Sequence, residues 1–136
     1  MLINLIKFIH ILLTLGLFGL TAYCLTFISS SHFTQTKNDS LTYLNKIILI
    51  FAFFAAMTGT LLVYPKHFTF HTPWILAAYV LVFVYSLGVC ALILFRKQRK
   101  YRWLWYCVYG ILILILVAVI HDAVTKNTFL LFSRLF

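Results

Sequence analysis

Acidic side chains are nearly missing from this sequence. Of its 136 residues only Asp39 and Asp122 carry a carboxylate, whereas eleven are Lys or Arg. Two isolated carboxylates give little support to acid–base catalysis by paired acids, or to sites for hard cations, which need several oxygen ligands. The net charge of +9 would point to nucleic acid in a soluble protein. Basic residues in short loops also orient membrane helices, however, and we expect no nucleic-acid partner.

Motifs for cross-links and for phosphate or acyl chemistry are also missing. The three cysteines, Cys24, Cys90 and Cys107, show no C-x-x-C spacing and lie inside apolar segments. This argues against a disulfide framework and is typical of small packing residues. The sequence has no nucleophile elbow, no phosphate-binding loop and no Gly- or Ser-rich linker. We therefore expect a single domain, residues 1–136, with no recognisable catalytic motif.

Apolar residues dominate what is present. They make up 64% of the chain, charged residues make up 10%, and the mean hydropathy is +1.04. Soluble domains are roughly half apolar and a quarter charged, so the apolar surface here is best matched by a lipid bilayer. Four runs reach the length of roughly 20 residues that a membrane-spanning helix needs. We predict an all-α polytopic membrane protein, an up-down bundle with helices at about 2–28, 44–64, 73–95 and 103–125 and a tail at 126–136.

The basic residues predict an orientation for these helices. One side of the bundle holds both termini and the loop after the second helix, and its cations are Lys7, Lys66, Lys126 and Arg134. The opposite side carries Lys37, Lys46, Arg96, Lys97, Arg99, Lys100 and Arg102. Because Lys and Arg are retained on the cytoplasmic side, we expect the second side to be cytoplasmic. Both termini would then face the periplasm, in a bacterial inner membrane.

Histidines are the polar residues most suggestive of chemistry. His10 lies near the start of the first helix and His121 near the end of the fourth, so both approach the side that holds the termini. At ~1.5 Å per residue, each should lie within about 5–13 Å of that edge. His67 and His71, in the loop after the second helix, belong to the same side. Polar residues are costly inside a bilayer, and such a one-sided cluster therefore suggests a functional site.

Neutral imidazole binds haem iron, copper and zinc, which gives the cluster two metal-based interpretations. In the first, His10 and His121 are axial ligands of haem b, with His71 as the alternate, and Lys7 pairs with a propionate. In the second, the four histidines of the cluster bind copper: His10, His67, His71 and His121. The ordinary alternative is that each histidine hydrogen-bonds a backbone carbonyl or a lipid headgroup, and that Asp122 forms an ion pair with Lys126.

Three short segments also carry a family resemblance. They are Lys7-Phe8-Ile9-His10 followed by Gly16 and Gly19, then Thr58-Gly59, and then Thr72-Pro73-Trp74. The first resembles the K-x-x-H opening of small four-helix membrane proteins that include HemJ-type protoporphyrinogen oxidases and CopD-like copper-resistance proteins. The others resemble the middle of an uncharacterised integral membrane family related to these. The resemblance implies a haem-associated histidine at His10, and either a HemJ-like oxidoreductase or a copper-handling protein.

Two positions depart from the HemJ-type pattern. Ala78 stands where that family has a lysine after the third-helix tryptophan, and Leu17 replaces a tryptophan of the first helix. We therefore assign no reaction. A further alternative is a non-catalytic membrane subunit or assembly factor. It would dock a membrane-protein partner or another copy of the chain through its aromatic faces and the basic loop at 96–102.

Overall fold

A computed structural model of the chain describes residues 1–29, 35–64, 72–95, 97 and 102–125. These residues form four helices: α1 (Leu2–Ser29), α2 (Gln35–Val63), α3 (Pro73–Leu94) and α4 (Arg102–Thr125). Each helix is long and apolar enough to cross a membrane. The predicted fold class, an all-α bundle of four membrane-length helices, is confirmed.

The helices are arranged as a ring in chain order. Helix α1 packs against α2, α2 against α3, α3 against α4, and α4 returns to pack against α1. Each helix therefore has two main neighbours, as expected for an up-down bundle with short connections. The hydrophobic core is concentrated in the half that holds the C-terminal end of α1 and the N-terminal end of α4, where Leu41, Leu92 and Tyr109 are completely buried.

Helix α2 begins earlier than predicted. It starts at Gln35 rather than near Leu44, because its polar first turns belong to the helix. Asn38, Thr42 and Asn45 are buried and follow the spacing of one helical face. Their side chains point into the bundle, so the hydropathy drop that suggested a loop instead marks a polar stretch of the core.

Two polar contacts between helices stabilise this well-packed half. The hydroxyl of Tyr109 donates a 2.8 Å hydrogen bond to Oδ1 of Asn45, which links α4 to α2. Nη2 of Arg102 donates to the backbone carbonyl of Ile28 at 2.6 Å, which satisfies an acceptor at the end of α1. These contacts fix the helices at one end of the bundle.

The opposite half is packed less tightly. No residue of α1 before Leu17 is buried, although α1 begins at Leu2. Helix α3 begins as the sequence predicts, with Thr72 as N-cap and Pro73 in the first turn. The looser packing leaves space between the four helices in the half that holds Met1 and Thr125.

Candidate functional site

A cavity of about 350 Å³ occupies this looser half of the bundle. All four helices line it, and small side chains create much of the space: Ala52, Ala55, Ala56, Gly59, Ala78 and Ala123. Its outer end lies near Lys7 and Trp74, at the helix ends, and its inner end lies near Leu17 and Tyr85. The volume falls at the lower end of the range of about 300–1,000 Å³ that is usual for small-molecule sites.

His10 lies in the wall of this cavity. Its Nδ1 atom is 2.9 Å from Oγ1 of Thr58, so the ring connects α1 with α2. The side chain is packed against Gly59, where a Cβ atom would stand 3.3 Å from Cε1 of the ring. A side chain at position 59 would therefore press on the imidazole, which would have to move by a few tenths of an ångström to accommodate a Cβ atom.

The hydrogen bonds of Thr58 bear on the tautomer of His10. The Thr58 hydroxyl donates toward the carbonyl oxygens of Phe54 and Ala55, at 3.0 Å and 3.1 Å. A hydroxyl has a single proton, so when that proton goes to one of these carbonyls Thr58 is the acceptor for Nδ1 of His10. In that tautomer the lone pair of the neutral imidazole is on Nε2, the nitrogen that could bind a metal.

Lys7 supplies the charge at the outer end of the cavity. It lies about one helical turn before His10, and it is the one charged residue among the described residues that line the cavity. Trp74, in the first turn of α3, lines the same end. An apolar ligand with an acidic group would place that group at this end, where the ammonium group offers a countercharge at the membrane edge.

Tyrosines and threonines add further polar groups at two levels of the site. The Tyr85 hydroxyl is 2.7 Å from Oγ1 of Thr21, and the hydroxyls of Tyr79 and Thr60 are 2.6 Å apart. Tyr79 and Tyr85 line the cavity, and Tyr85 is almost completely buried. Sequence reasoning missed all four residues. The signal that could have found them is a polar side chain inside an apolar run.

His121 is not among the residues that line the cavity. Its side chain is 43% exposed, and its Nδ1 atom lies 3.4 Å from Oδ1 of the neighbouring Asp122, whose side chain is buried. Helix α4 lines the cavity with Leu116, Val119, Ile120 and Ala123 instead. Of the two spanning histidines, His10 thus belongs to the cavity wall and His121 contacts a carboxylate beside it in sequence.

The remaining predicted ligands lie outside the described residues. These are His67 and His71, together with Lys66 and Lys126. Within the part of the chain that the structure describes, no group of three or more His, Cys, Asp or Glu residues is placed to hold a metal ion. Cys24 is buried, Cys90 is half-buried and Cys107 is exposed.

The two positions that depart from the HemJ-type pattern both line the cavity. Ala78 and Leu17 belong to its wall, on α3 and α1. Both positions therefore belong to the same cavity as His10. Comparisons with protein-family models, with curated proteins and with solved structures give no match to the chain.

Proposed function

We propose that this chain is a multi-pass protein of a bacterial inner membrane that binds haem b in the cavity beside His10 and serves a redox or porphyrin-linked role. The observation that carries the proposal is the Nδ1 contact of His10 with Thr58 in the wall of the cavity. With Nδ1 held by Thr58, Nε2 is the ring nitrogen that would bind the iron. Histidines that bind metals characteristically have their other ring nitrogen held by a hydrogen bond. Both termini, and the outer end of the cavity, would face the periplasm.

The walls of the cavity fit the chemistry of this ligand. The described lining is mainly aliphatic and aromatic, which suits the apolar face of a tetrapyrrole, and Lys7 provides a cation for a propionate. Bound haem would supply one-electron chemistry, while the protein sets its axial ligand and its surroundings. The chain would hold the group through His10, and Lys7 would pair with its acidic edge.

His10 is the ligand that the described residues supply to the cavity. A second axial ligand from His121, or from His71 as the alternate, is a separate prediction, because the described lining does not include either residue. Under the proposal, His10 is necessary for haem binding. Whether His121 or His71 supplies a second axial ligand is tested separately. One set of variants answers both.

The test compares the ratio of haem to protein in purified wild type, His10→Ala and His121→Ala. The proposal expects His10→Ala to lose most of its haem. If His121→Ala keeps its haem, His10 is the essential ligand, and if both variants lose it, the pair of axial ligands is supported. Unchanged haem content in both variants would refute the ligand assignment. Far-ultraviolet circular dichroism of the same samples distinguishes loss of a ligand from loss of the fold.

Copper handling is the second candidate, and it makes a different prediction for the same samples. It expects stoichiometric copper after purification and copper sensitivity in a deletion strain. A histidine site for copper needs several ligands close together, and the described cavity lining contributes only His10.

A subunit or assembly factor without a chromophore is the third candidate, and it would co-purify with a membrane-protein partner. The apolar lining of the cavity and the contact of His10 with Thr58 are the reasons for placing haem first.

A further inference from the structure

The lining of the cavity reaches the outer surface of the protein on one side. Among the described residues that line it, three are exposed: Ile11 on α1, and Ile120 and Ala123 on α4. The described lining residues of α2 and α3 are all buried or half-buried. An exposed residue that also lines a cavity stands at its opening. The opening therefore lies between α1 and α4, which are neighbours in the ring.

Ile11 and Ile120 flank this opening at a similar depth. The hydrogen bond from Arg102 to the carbonyl of Ile28 brings the start of α4 beside the end of α1. At ~1.5 Å per residue, Ile11 lies about 26 Å along α1 from Ile28, and Ile120 lies about 27 Å along α4 from Arg102. Both helices are of membrane-spanning length and composition, so these exposed isoleucines face lipid.

The other walls of the cavity are tied together at this end of the bundle. Nδ1 of His10 and Oγ1 of Thr58 are 2.9 Å apart, which joins α1 to α2. The hydroxyls of Tyr79 and Thr60 are 2.6 Å apart, which joins α3 to α2. The described lining residues of α4 are instead all aliphatic. A ligand that separates α4 slightly from α1 displaces apolar contacts, which lipid replaces at little cost.

Lys7 stands at the outer end of the same opening. It precedes Ile11 by four residues, so the two side chains are neighbours on one face of α1, and both line the cavity. A charge at this depth is costly unless it is paired or reaches the membrane edge. An amphiphile that lies between α1 and α4 would place its acidic group at Lys7 and its apolar body against Ile11 and Ile120.

We infer that the cavity opens sideways into the bilayer between α1 and α4, and that it takes amphiphilic acids dissolved in the membrane, which enter from lipid rather than from water. This route rests on the cavity of the proposed function and adds the class of its ligand. Haem, with an apolar ring and acidic propionates, belongs to that class. The same opening would serve any membrane-dissolved amphiphilic acid that fits the cavity.

A cysteine inside the cavity tests the route of entry. Ala52 lines the cavity and is only 2% exposed, so a reagent reaches position 52 through the cavity. Ala52→Cys is made in the full-length chain with its native cysteines replaced by alanine, and the protein is reconstituted in lipid vesicles. N-cyclohexylmaleimide, which dissolves in the membrane, should label it. A sulfonated maleimide present on both sides of the membrane should not. Equal labelling by both reagents, or by neither, would overturn the inference.

Narrowing the opening should slow this labelling. In the same background, Ile11→Trp and Ile120→Trp each place a large side chain at the opening, and the labelling rate should fall about tenfold. Ile111→Trp is the matched control, because Ile111 is an exposed isoleucine of α4 that does not line the cavity. Circular dichroism checks the fold of each variant. Rates that are unchanged in both opening variants would contradict entry between α1 and α4.

Protection of the same cysteine tests the ligand class. Dodecanoate should protect position 52 from N-cyclohexylmaleimide at about fivefold lower concentration than methyl dodecanoate, which has the same chain without the charge. In Lys7→Met the two probes should protect equally, and Lys7→Arg should keep the difference. Equal protection by both probes in the chain that retains Lys7 would refute a preference for acids.

These outcomes are distinguishable from failure of the haem proposal. Haem content reports an equilibrium, so Ile120→Trp should retain its haem even though entry is slower. His10→Ala should lose haem and keep the labelling rate at position 52. Protein that is purified without haem leaves the route and the ligand class fully testable with the maleimides and with dodecanoate.

Discussion

His10 and Gly59 are in direct contact across the α1–α2 interface: a Cβ atom at position 59 would stand 3.3 Å from Cε1 of the imidazole. Two successive residues of α2 therefore hold the ring, because Oγ1 of the preceding Thr58 is hydrogen-bonded to Nδ1 at 2.9 Å. The side-chain contact and the hydrogen bond together fix the orientation of the imidazole.

Enlarging position 59 should therefore displace the imidazole. We expect Gly59→Val to lower the haem content, because two further methyl groups extend the contact with His10. Gly19→Val is the matched control, since a Cβ there meets nothing within 4 Å. The ratio of haem to protein is measured for both variants. Equal haem content in Gly59→Val and wild type would show that the contact does not position His10.

The hydrogen bond between Tyr109 and Asn45 should stabilise the bundle. Both side chains are completely buried, so Tyr109→Phe leaves Oδ1 of Asn45 without this donor. We expect the free energy of unfolding in detergent to fall by about 1–2 kcal/mol, which is at the upper end for hydrogen bonds within membrane proteins. Tyr43→Phe, on an exposed part of α2, should have almost no effect.

Removing both partners should restore part of that loss. In Asn45→Leu/Tyr109→Phe no polar group of the pair remains buried, and Nδ2 of Asn45, which has no hydrogen-bond partner among the described residues, is removed as well. Replacing both partners by apolar groups is often nearly neutral. A double variant that is less stable than Tyr109→Phe would contradict this account of the pair.

Arg102 should stabilise the end of α1 through its geometry as well as its charge. Its 2.6 Å hydrogen bond satisfies the carbonyl of Ile28. We expect Arg102→Met to lower the thermal midpoint. Arg102→Lys should lower it by less, because it keeps the cation and loses the planar guanidinium. Lys97→Met removes the same charge from an exposed position and is the control. Equal midpoints for Arg102→Met and Lys97→Met would exclude a role for the contact.

The predicted orientation can be read from cysteine labelling. In a chain whose native cysteines are replaced by alanine, single cysteines are introduced as Asn4→Cys and Lys97→Cys, at opposite ends of the bundle. An impermeant maleimide applied to spheroplasts should label the cysteine at position 4 and leave the one at position 97 unlabelled. Inverted membrane vesicles should give the reverse. The opposite pattern would place both termini in the cytoplasm and refute the orientation inferred from the basic loops.

The positions of the helices could be predicted from the sequence, but their relative rotations could not. Thr72-Pro73 marks the start of α3 correctly, because a proline in the first turn needs no hydrogen-bond donor. The start of α2 was missed because Asn38 and Asn45 are buried by other helices, and their own segment does not reveal this. The contact of His10 with Thr58 depends on how α1 and α2 are rotated. Helices that are apolar on every side carry little information on that rotation.

For the cavity, too, the sequence reveals residues that stand out within their own helix, but it does not reveal which way each helix is turned. His10 and Lys7 could be singled out because they are polar residues in an apolar helix. The exclusion of His121 from the lining could not be foreseen, because one residue along α4 changes the direction of the side chain by about 100°. Ile120 lines the cavity, and the adjacent His121 does not.

The most direct test of the haem proposal is the absorption spectrum of the detergent-purified wild-type protein, recorded as isolated and after reduction with dithionite. The account predicts a Soret band that shifts on reduction, with sharp α and β bands, and the loss of these features in His10→Ala. A featureless spectrum from haem-replete cells, or an unchanged haem spectrum in His10→Ala, would contradict it.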